Sequence, residues 1–315
     1  MRLLRIYGIF TSGTTGVPKC ALNRHGGLAN RFAFMTRYFA ATGDEIVLQN
    51  SGHTYDSSLW QLCWPLTTGG RTVLPVQGEF LNLHRTIDTI AHYGVTATDF
   101  VSSIFSALVA TVAGDERAQR KLSCLRHVVV GGEEINPRAV HRMRELLPGL
   151  RVTNGYGPTE TSIGMIFHPV SASDGETIPL GRPIDNCFAV IVDDELRPLP
   201  AGTVGEIAIG GACLGAGYHA NPEATAAVFP PPPFLTSRLV IGSICPGISA
   251  TSTTAACFTS PAARTSRSRW AGSGSSWARS RWRRRPALVS GKRSPWSRGR
   301  VRPGPWPCSP PVARR

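Results

Sequence analysis

The sequence predicts an α/β fold: a mostly parallel sheet flanked by helices, then a β-rich part, then a disordered tail. Three observations carry this. Short apolar runs alternate with stretches whose apolar residues recur at helical spacing, as in βαβ units. Glycine-rich segments fall where such runs end, at Gly131-Gly132-Glu133 and from Asn154 to Thr161, and ligands of open α/β sheets sit outside the carboxyl ends of the strands. Charge divides the 315 residues: residues 1–235 hold 18 Lys and Arg against 20 Asp and Glu, while residues 236–315 hold 16 and no acid. The expected organisation is an α/β part over 1–177, a β-rich subdomain over 178–235 and a basic low-complexity tail over 236–315.

Taken in order, Arg5 to Phe10 reads as a strand feeding a polar loop, and Ala21-Leu22 as a strand leaving it. Leu28, Phe32, Met35 and Phe39 recur at helical spacing, so a helix spans 27–40. Glu45 to Leu48 is a short buried strand. Asp56 and Ser57 precede an apolar helix expected to end at Pro65, since proline breaks the helical ladder. Strands follow at 72–75, 95–97, 125–130 and 151–153, alternating with helices at 81–92, 104–113 and from Asn136-Pro137 to about Leu147. From Ile178 the texture changes to Gly/Pro turns and alternating strands at 189–192 and 205–209, ending at Pro230 to Pro233.

The loop itself is Thr11-Ser12-Gly13-Thr14-Thr15-Gly16-Val17-Pro18-Lys19. Small residues let a backbone approach a polyanion, hydroxyls and free N–H groups donate to it, and a lysine adds charge. The spacing is not that of a Walker loop. From the residues alone, a polar hairpin turn fits equally well. Similarly, Tyr156 between two glycines fits a surface turn, Glu160 a helix-start carboxylate, and Asp56 a helix N-cap. Eight scattered cysteines without C-x-x-C spacing speak against a zinc site and for reduced thiols. No apolar run reaches membrane-spanning length and no signal segment is evident, so a cytoplasmic setting is expected.

Thr11–Lys19, Asn154–Thr161 and Gly205–Tyr218 together, in this order, resemble the adenylate-forming (AMP-binding) superfamily, most closely the amino-acid adenylation domains of nonribosomal peptide synthetases. The likeness covers roughly residues 7–235, part of that family's large domain. It implies ATP-dependent activation of an amino acid carboxylate to an aminoacyl-adenylate with release of pyrophosphate, followed by transfer to a carrier-protein phosphopantetheine thiol. It further implies that Thr11, Ser12, Gly13, Thr14, Thr15, Gly16 and Lys19 hold the ATP phosphates. Gly131, Gly132, Glu133, Asn154, Tyr156 and Gly157 would surround the adenine, with Tyr156 stacked on it. Lys19, Thr159 and Glu160 would carry catalysis, Thr159 touching phosphate and Glu160 holding Mg²⁺. Asp56 would pair with the substrate ammonium, and Ser57, Trp60, Asp99, Val129, Gly131, Gly155, Ile163 and Gly164 would line the substrate pocket. The extra carboxylate of Asp99 in an otherwise small-lined pocket implies a substrate with a polar or cationic side chain, because an unpaired buried carboxylate is costly. An acyl- or aryl-acid ligase is the alternative within the superfamily; Asp56 speaks against it.

The sequence departs from the family pattern at Cys20, where glycine is usual, and at Gln61, where glutamate is usual. After Phe234 the family's Tyr-Arg-Thr-Gly-Asp ribose motif and its C-terminal lysine domain do not appear. Two accounts of the tail stay open. Its mixed Arg and Trp suit nucleic acid. Alternatively it is out of frame: a shifted reading of residues 267–282 can spell Ile-Lys-Val-Gly-Gly-Phe-Arg-Val-Glu-Leu-Gly-Glu-Ile-Glu-Val, close to the family's hinge motif. On the second account the tail does not pack and the chain's own activity is impaired. Only ten residues precede Thr11, so early strands of the family's domain are also expected to be missing.

Overall fold

The computed structural model describes residues 3–11, 17–76 and 82–229, and the backbone of 249–253 and 257–259. Residues 1–267 form one compact unit; the second, 268–315, lies outside the described residues, as do both expectations for its function.

β1 (Arg5–Thr11) and β2 (Lys19–Arg24) form an antiparallel hairpin, and α1 (His25–Tyr38) follows directly. Then come β3 (Ile46–Leu48), α2 (Ser57–Thr68), β4 (Arg71–Val73), α3 (Leu83–Tyr93), β5 (Ala97–Val101) and α4 (Ser102–Val112). α5 (Glu116–Lys121), β6 (His127–Gly131), α6 (Pro137–Leu146) and β7 (Arg151–Tyr156) complete the α/β part. Beyond a 3-10 turn at Thr159–Thr161 lie β8 (Ile166–Pro169), β9 (Arg182–Pro183), β10 (Cys187–Val192), β11 (Val204–Gly211), β12 (Gly217–Tyr218) and α7 (Pro222–Val228).

The large sheet has seven strands in the order β4-β3-β5-β6-β7-β8-β9; the first five run parallel, β8 is antiparallel to β7, and β9 is antiparallel to β8. Strand alternation sends successive side chains to opposite faces. Val128 and Val130 join a core with α3, α4, α5 and α6, while Ala97 and Val129 join a second core with α1 and α2. The mostly parallel, helix-covered sheet expected from the sequence is therefore present. No helix among the described residues is long and apolar enough to cross a membrane.

Several expectations are corrected. α2 does not end at Pro65 but runs to Thr68, capped by Gly69 in the left-handed region. Proline has no N–H for the carbonyl four residues back; Thr72 Oγ1 donates to Gln61 O at 3.1 Å instead, so the turn persists. The third parallel strand sits at 97–101 rather than 95–97. The short helix α5 was not anticipated; its N-cap Asp115 accepts from Arg117 N and Ala118 N. The helix start expected at Leu81 lies partly outside the described residues; α3 begins at Leu83, capped by Asn82.

Residues 178–229 hold short strands that pair in three places. β9 extends the large sheet, and β12 pairs with β2 beside the loop hairpin. β10 and β11 form their own antiparallel ladder. Inside the segment expected to be structureless, β13 (Ser249–Thr253) pairs with β11, and β14 (Cys257–Thr259) with β13. The β-branched Thr251 and Thr253 suit strand geometry, and β11 offers an edge to pair with.

Candidate active site

The polar loop joins two antiparallel strands, so the hairpin alternative holds for the backbone. Thr11 pairs with Lys19 in register, and Thr11 Oγ1 donates to Lys19 O at 3.3 Å. Ser12, Gly13, Thr14, Thr15 and Gly16 lie outside the described residues. Lys19 projects onto Tyr218 of β12, its Nζ 5.4 Å from the ring centroid. Tyr218 Oη in turn donates to Glu160 Oε1 at 2.6 Å. The three motifs of the sequence are thus joined through Lys19, Tyr218 and Glu160, and Tyr218 was not among the expected site residues.

Cys20 is accommodated as ordinary strand, and its sulfur takes room that Gly8 leaves: a Cβ at Gly8 would lie 2.8 Å from Cys20 Sγ. Asn23, fully buried on β2, was also missed. Its Nδ2 donates to Thr159 O at 2.8 Å, and its Oδ1 accepts from Ser162 N at 3.1 Å and Ser162 Oγ at 3.3 Å. The strand leaving the loop therefore holds both ends of the Thr159–Ser162 turn. Ser162 and Ile163 have φ of 56° and 83°. A β-branched residue in this region is strained, and such strain gathers at functional sites.

Parallel register assembles the expected pocket wall. Asp99 pairs with Val129, and Gly131 with Gly155, in successive rows on the face that carries α1 and α2. Gly131 and Gly155 press backbone to backbone: a Cβ on Gly131 would strike Gly155 O, and one on Gly155 would meet Val129 Cγ1 at 2.8 Å. The result is a flat floor at the carboxyl ends of β6 and β7, and Gly132 turns away with φ 78°. Ile163 and Val129 are buried beside it, and Gly157 packs onto Gly164.

Two of three expected nucleotide contacts, Glu133 and Asn154, have structural partners. Glu133 Oε2 accepts from Ser103 N at 2.9 Å, in the first turn of α4. Asn154 is buried, and its Nδ2 donates to Pro179 O at 2.8 Å. Tyr156 keeps its ring half-buried, its hydroxyl lies buried without a partner, and burial raises its pKa.

Asp56 is not a side-chain N-cap. It precedes α2 in helical geometry and makes no capping bond. Its Oδ2 is buried without a hydrogen-bond partner. Burial pushes its pKa up to about 6, against the Thr159 hydroxyl and the Arg31 guanidinium, which favour the charged form. Arg31, on α1, was also missed. It is buried, donates from Nη1 to Gly164 O, stacks 4.7 Å from the Phe167 centroid, and has an unpartnered Nε. Burial pushes it down to about 10, with Asp56, Tyr7 and Asp99 opposing. Tyr7 Oη is a further unpartnered buried atom, in the fields of Asp56 and Arg31.

Asp99 is different: both of its carboxylate oxygens are hydrogen-bonded from within. Trp60 Nε1 donates to Oδ2 at 2.7 Å, while Ser51 Oγ at 2.9 Å and Gln61 Nε2 at 2.6 Å donate to Oδ1. Ser57 Oγ extends the chain to Ser51 Oγ at 2.9 Å. The premise for a cationic substrate side chain is thereby overturned, because Asp99 is not an unpaired carboxylate. The same geometry explains Gln61: a second carboxylate there would face Asp99 without a proton between them.

Among the described residues no group of three or more His, Cys, Asp or Glu is placed to hold a metal. Glu160 fits the other pattern, one carboxylate shared with phosphate oxygens, as Mg²⁺ often takes; Tyr218 holds Oε1 and leaves Oε2.

The match to known proteins agrees with this geometry. The family model described as AMP-binding enzyme matches residues 5–219, and the chain belongs to that family. It is 36% identical over 228 residues to phosphinothricin tripeptide synthetase PhsB of Streptomyces viridochromogenes, covering 72% of this chain and 19% of that one. It is 31% identical over 233 residues to enterobactin synthase component F of Escherichia coli, with 72% and 18% covered. Zwittermicin A synthase ZmaJ of Bacillus cereus is 32% identical over 231 residues, with 71% and 43% covered. The chain thus spans less than half the length of these relatives. Among solved structures, the nonribosomal peptide synthetase FmoA3 in its α-methyl-L-serine-AMP-bound form superposes with a TM-score of 0.75 at 32% identity, covering 82% of this chain and 28% of that one. Its AMPPNP-bound form gives 0.74 at 32% identity, with 81% and 27% covered.

Proposed function

We propose that this chain carries the amino-acid-activating site of a nonribosomal peptide synthetase, joining a substrate carboxylate to the α-phosphate of ATP with release of pyrophosphate. The observation that carries the proposal is Asp56 Oδ2, buried and without a partner. A buried carboxylate oxygen left unsatisfied is costly, and an α-ammonium satisfies it; an acyl or aryl acid would not. The AMPPNP and aminoacyl-AMP complexes of FmoA3 support the choice of nucleotide and of substrate class.

In this reading the loop from Thr11 to Gly16 and Lys19 bind the phosphates, and Glu160 holds Mg²⁺ with them. Bound there, the cation offsets charge building on the phosphates. Tyr218 orients Glu160, and Asn23 fixes the turn that presents Thr159 and Glu160. Gly131, Gly132 and Tyr156 receive the adenine. Asp56 anchors the ammonium so that the carboxylate faces the α-phosphate, with Val129, Gly155, Ile163 and Gly164 around the side chain. With Asp99 internally paired, the pocket suits a small or uncharged side chain. The acyl group would pass to a carrier-protein phosphopantetheine thiol.

Calorimetric titration with a non-hydrolysable ATP analogue and amino acids, alongside pyrophosphate exchange, tests this. An amino acid should bind about 10–100-fold more tightly than its desamino analogue, as one charge-assisted hydrogen bond provides. Asp56→Asn should abolish that preference. Tighter binding of an aryl or fatty acid by the wild type would overturn the proposal.

A further inference from the structure

Arg31 lies on the buried face of α1 and is only 3% exposed. Gly27, four residues earlier, shares that face. The face packs on the segment from Ser162 to Gly164. A Cβ at Gly27 would strike Ser162 Oγ, and one at Gly164 would lie 3.4 Å from Arg31 Nη1. Arg31 Nη1 donates to Gly164 O, and the guanidinium sits 4.7 Å from the Phe167 ring centroid. Phe167 in turn pairs in register with Gly155. The guanidinium therefore lies on the side of Gly164 where a side chain would project, beside the strand row that holds Gly155. Both glycines belong to the expected substrate pocket.

This head group is incompletely satisfied. A guanidinium carries N–H donors on all its nitrogens and stays charged. Arg31 Nε is buried without a hydrogen-bond partner. The bond from Nη1 goes to a neutral carbonyl, and Asp56, Tyr7 and Asp99 act on Arg31 through their fields. A buried donor with no acceptor is costly, and at a pocket wall a ligand can supply the acceptor. Burial pushes Arg31 down only to about 10, so at neutral pH it is a cation. Asp56 and Asp99, each held up to about 6 by burial, are anions there. With a substrate ammonium on Asp56, the ammonium and Arg31 match the two carboxylates. A further charge of either sign on the substrate side chain would break that balance in a site poor in water. An uncharged oxygen meets the Nε donor and leaves the balance intact.

We propose that Arg31 determines substrate specificity, selecting an amino acid whose side chain carries an uncharged hydrogen-bond acceptor, a hydroxyl or carboxamide oxygen. The inference rests on the amino-acid-activating reading of this site. Asp56 fixes the α-amino end, and Arg31 reads the side chain from the Gly164 wall. Glycine at 164 serves this arrangement, since a side chain longer than a methyl would run into the guanidinium.

Calorimetry on the full chain with the non-hydrolysable ATP analogue tests this, using amino acids paired by shape: serine against 2-aminobutyrate, threonine against valine, asparagine against leucine. In at least one pair the polar member should bind about 10–100-fold more tightly, as a hydrogen bond to a charged group provides. Arg31→Met keeps an unbranched apolar stem and removes the donors. The ratio should fall to near unity, with the apolar member binding as tightly as before or more so, a gain that loss of folding does not produce. The preference for an amino acid over its desamino analogue, which Asp56 carries, should persist in this variant. A wild type that keeps this preference yet binds both members of every pair equally, or favours an acidic or cationic side chain, overturns the role of Arg31 alone. So does an Arg31→Met variant that retains the polar preference. A wild type indifferent to the α-amino group overturns the proposed function and this inference with it.

Discussion

Gln61→Glu places a carboxyl oxygen against two buried acceptors. In the wild type Gln61 Nε2 donates to Asn50 Oδ1 and to Asp99 Oδ1, both at 2.6 Å, and Gln61 is fully buried. Glutamate can keep accepting from Ser51 N, as Gln61 Oε1 does at 3.0 Å, but it has donors for neither Asn50 nor Asp99 unless it is protonated. A protonated carboxyl replaces one of the two bonds; losing the other costs about 0.5–1.5 kcal/mol, since Asn50 Oδ1 still accepts from Thr98 Oγ1 and Asp99 Oδ1 from Ser51 Oγ, both at 2.9 Å. Holding the proton adds about 1.4 kcal/mol for each pH unit above the unfolded glutamate value of about 4.3. That is about 1 kcal/mol at about pH 5 and up to about 5 kcal/mol at about pH 8.

The folded pKa of the introduced group is raised by burial and by Asp99, so the folded state binds the extra proton. The group's stabilising contribution is complete below the unfolded pKa and is lost as pH rises toward the folded one. The variant's deficit therefore grows with pH. Asp99, which burial itself holds at about 6 against 3.8, acts in the same direction in the wild type, so the two proteins are compared at each pH. Urea unfolding followed by circular dichroism at about pH 5 and about pH 8 measures the difference. At the higher pH the loss approaches the whole stability of a typical domain, about 5–15 kcal/mol. A variant within about 1 kcal/mol of wild type at the higher pH, or one whose deficit does not change with pH, would refute the shared Asp99–Gln61 network.

Tyr218→Phe removes the donor at 2.6 Å from Glu160; it should cost about 1 kcal/mol in stability and weaken Mg·ATP binding about 3–10-fold, read by calorimetry with and without the cation. Asn23→Ala breaks three bonds to the Thr159–Ser162 turn; denaturant unfolding should show a loss of about 2–4 kcal/mol, and an effect under about 1 kcal/mol would remove Asn23 from its bridging role.

The α/β architecture was legible because burial on a two-faced sheet leaves a period in the sequence. Val128 and Val130 against Val129, and Phe32 and Met35 on α1, are local patterns that do not depend on what lies opposite. Element ends were less legible. Pro65 stops a helix by local rules, and only a hydroxyl arriving from Thr72 lets α2 continue. β12, at the end of the Gly205–Tyr218 motif, pairs with β2 near the other end of the described fold, a partner that no local pattern announces.

The sequence by itself determined the chemistry-bearing motifs: the hydroxyl- and glycine-rich loop with Lys19, the Tyr156-to-Glu160 segment, and Asp56 at the head of α2. These depend on residue type at fixed short spacing, which a linear reading sees in full. Only the tertiary structure decided how the polar groups are satisfied. Asp99 is filled by Trp60, Ser51 and Gln61, whereas Asp56 keeps an unpartnered oxygen. Arg31, Asn23 and Tyr218 enter the site from other strands and helices, with Tyr218 reaching Glu160 across 58 positions. A buried polar atom is bound by whatever the fold brings within about 3 Å of it, and that neighbour is set by strand register and helix packing rather than by the residues beside it in the chain.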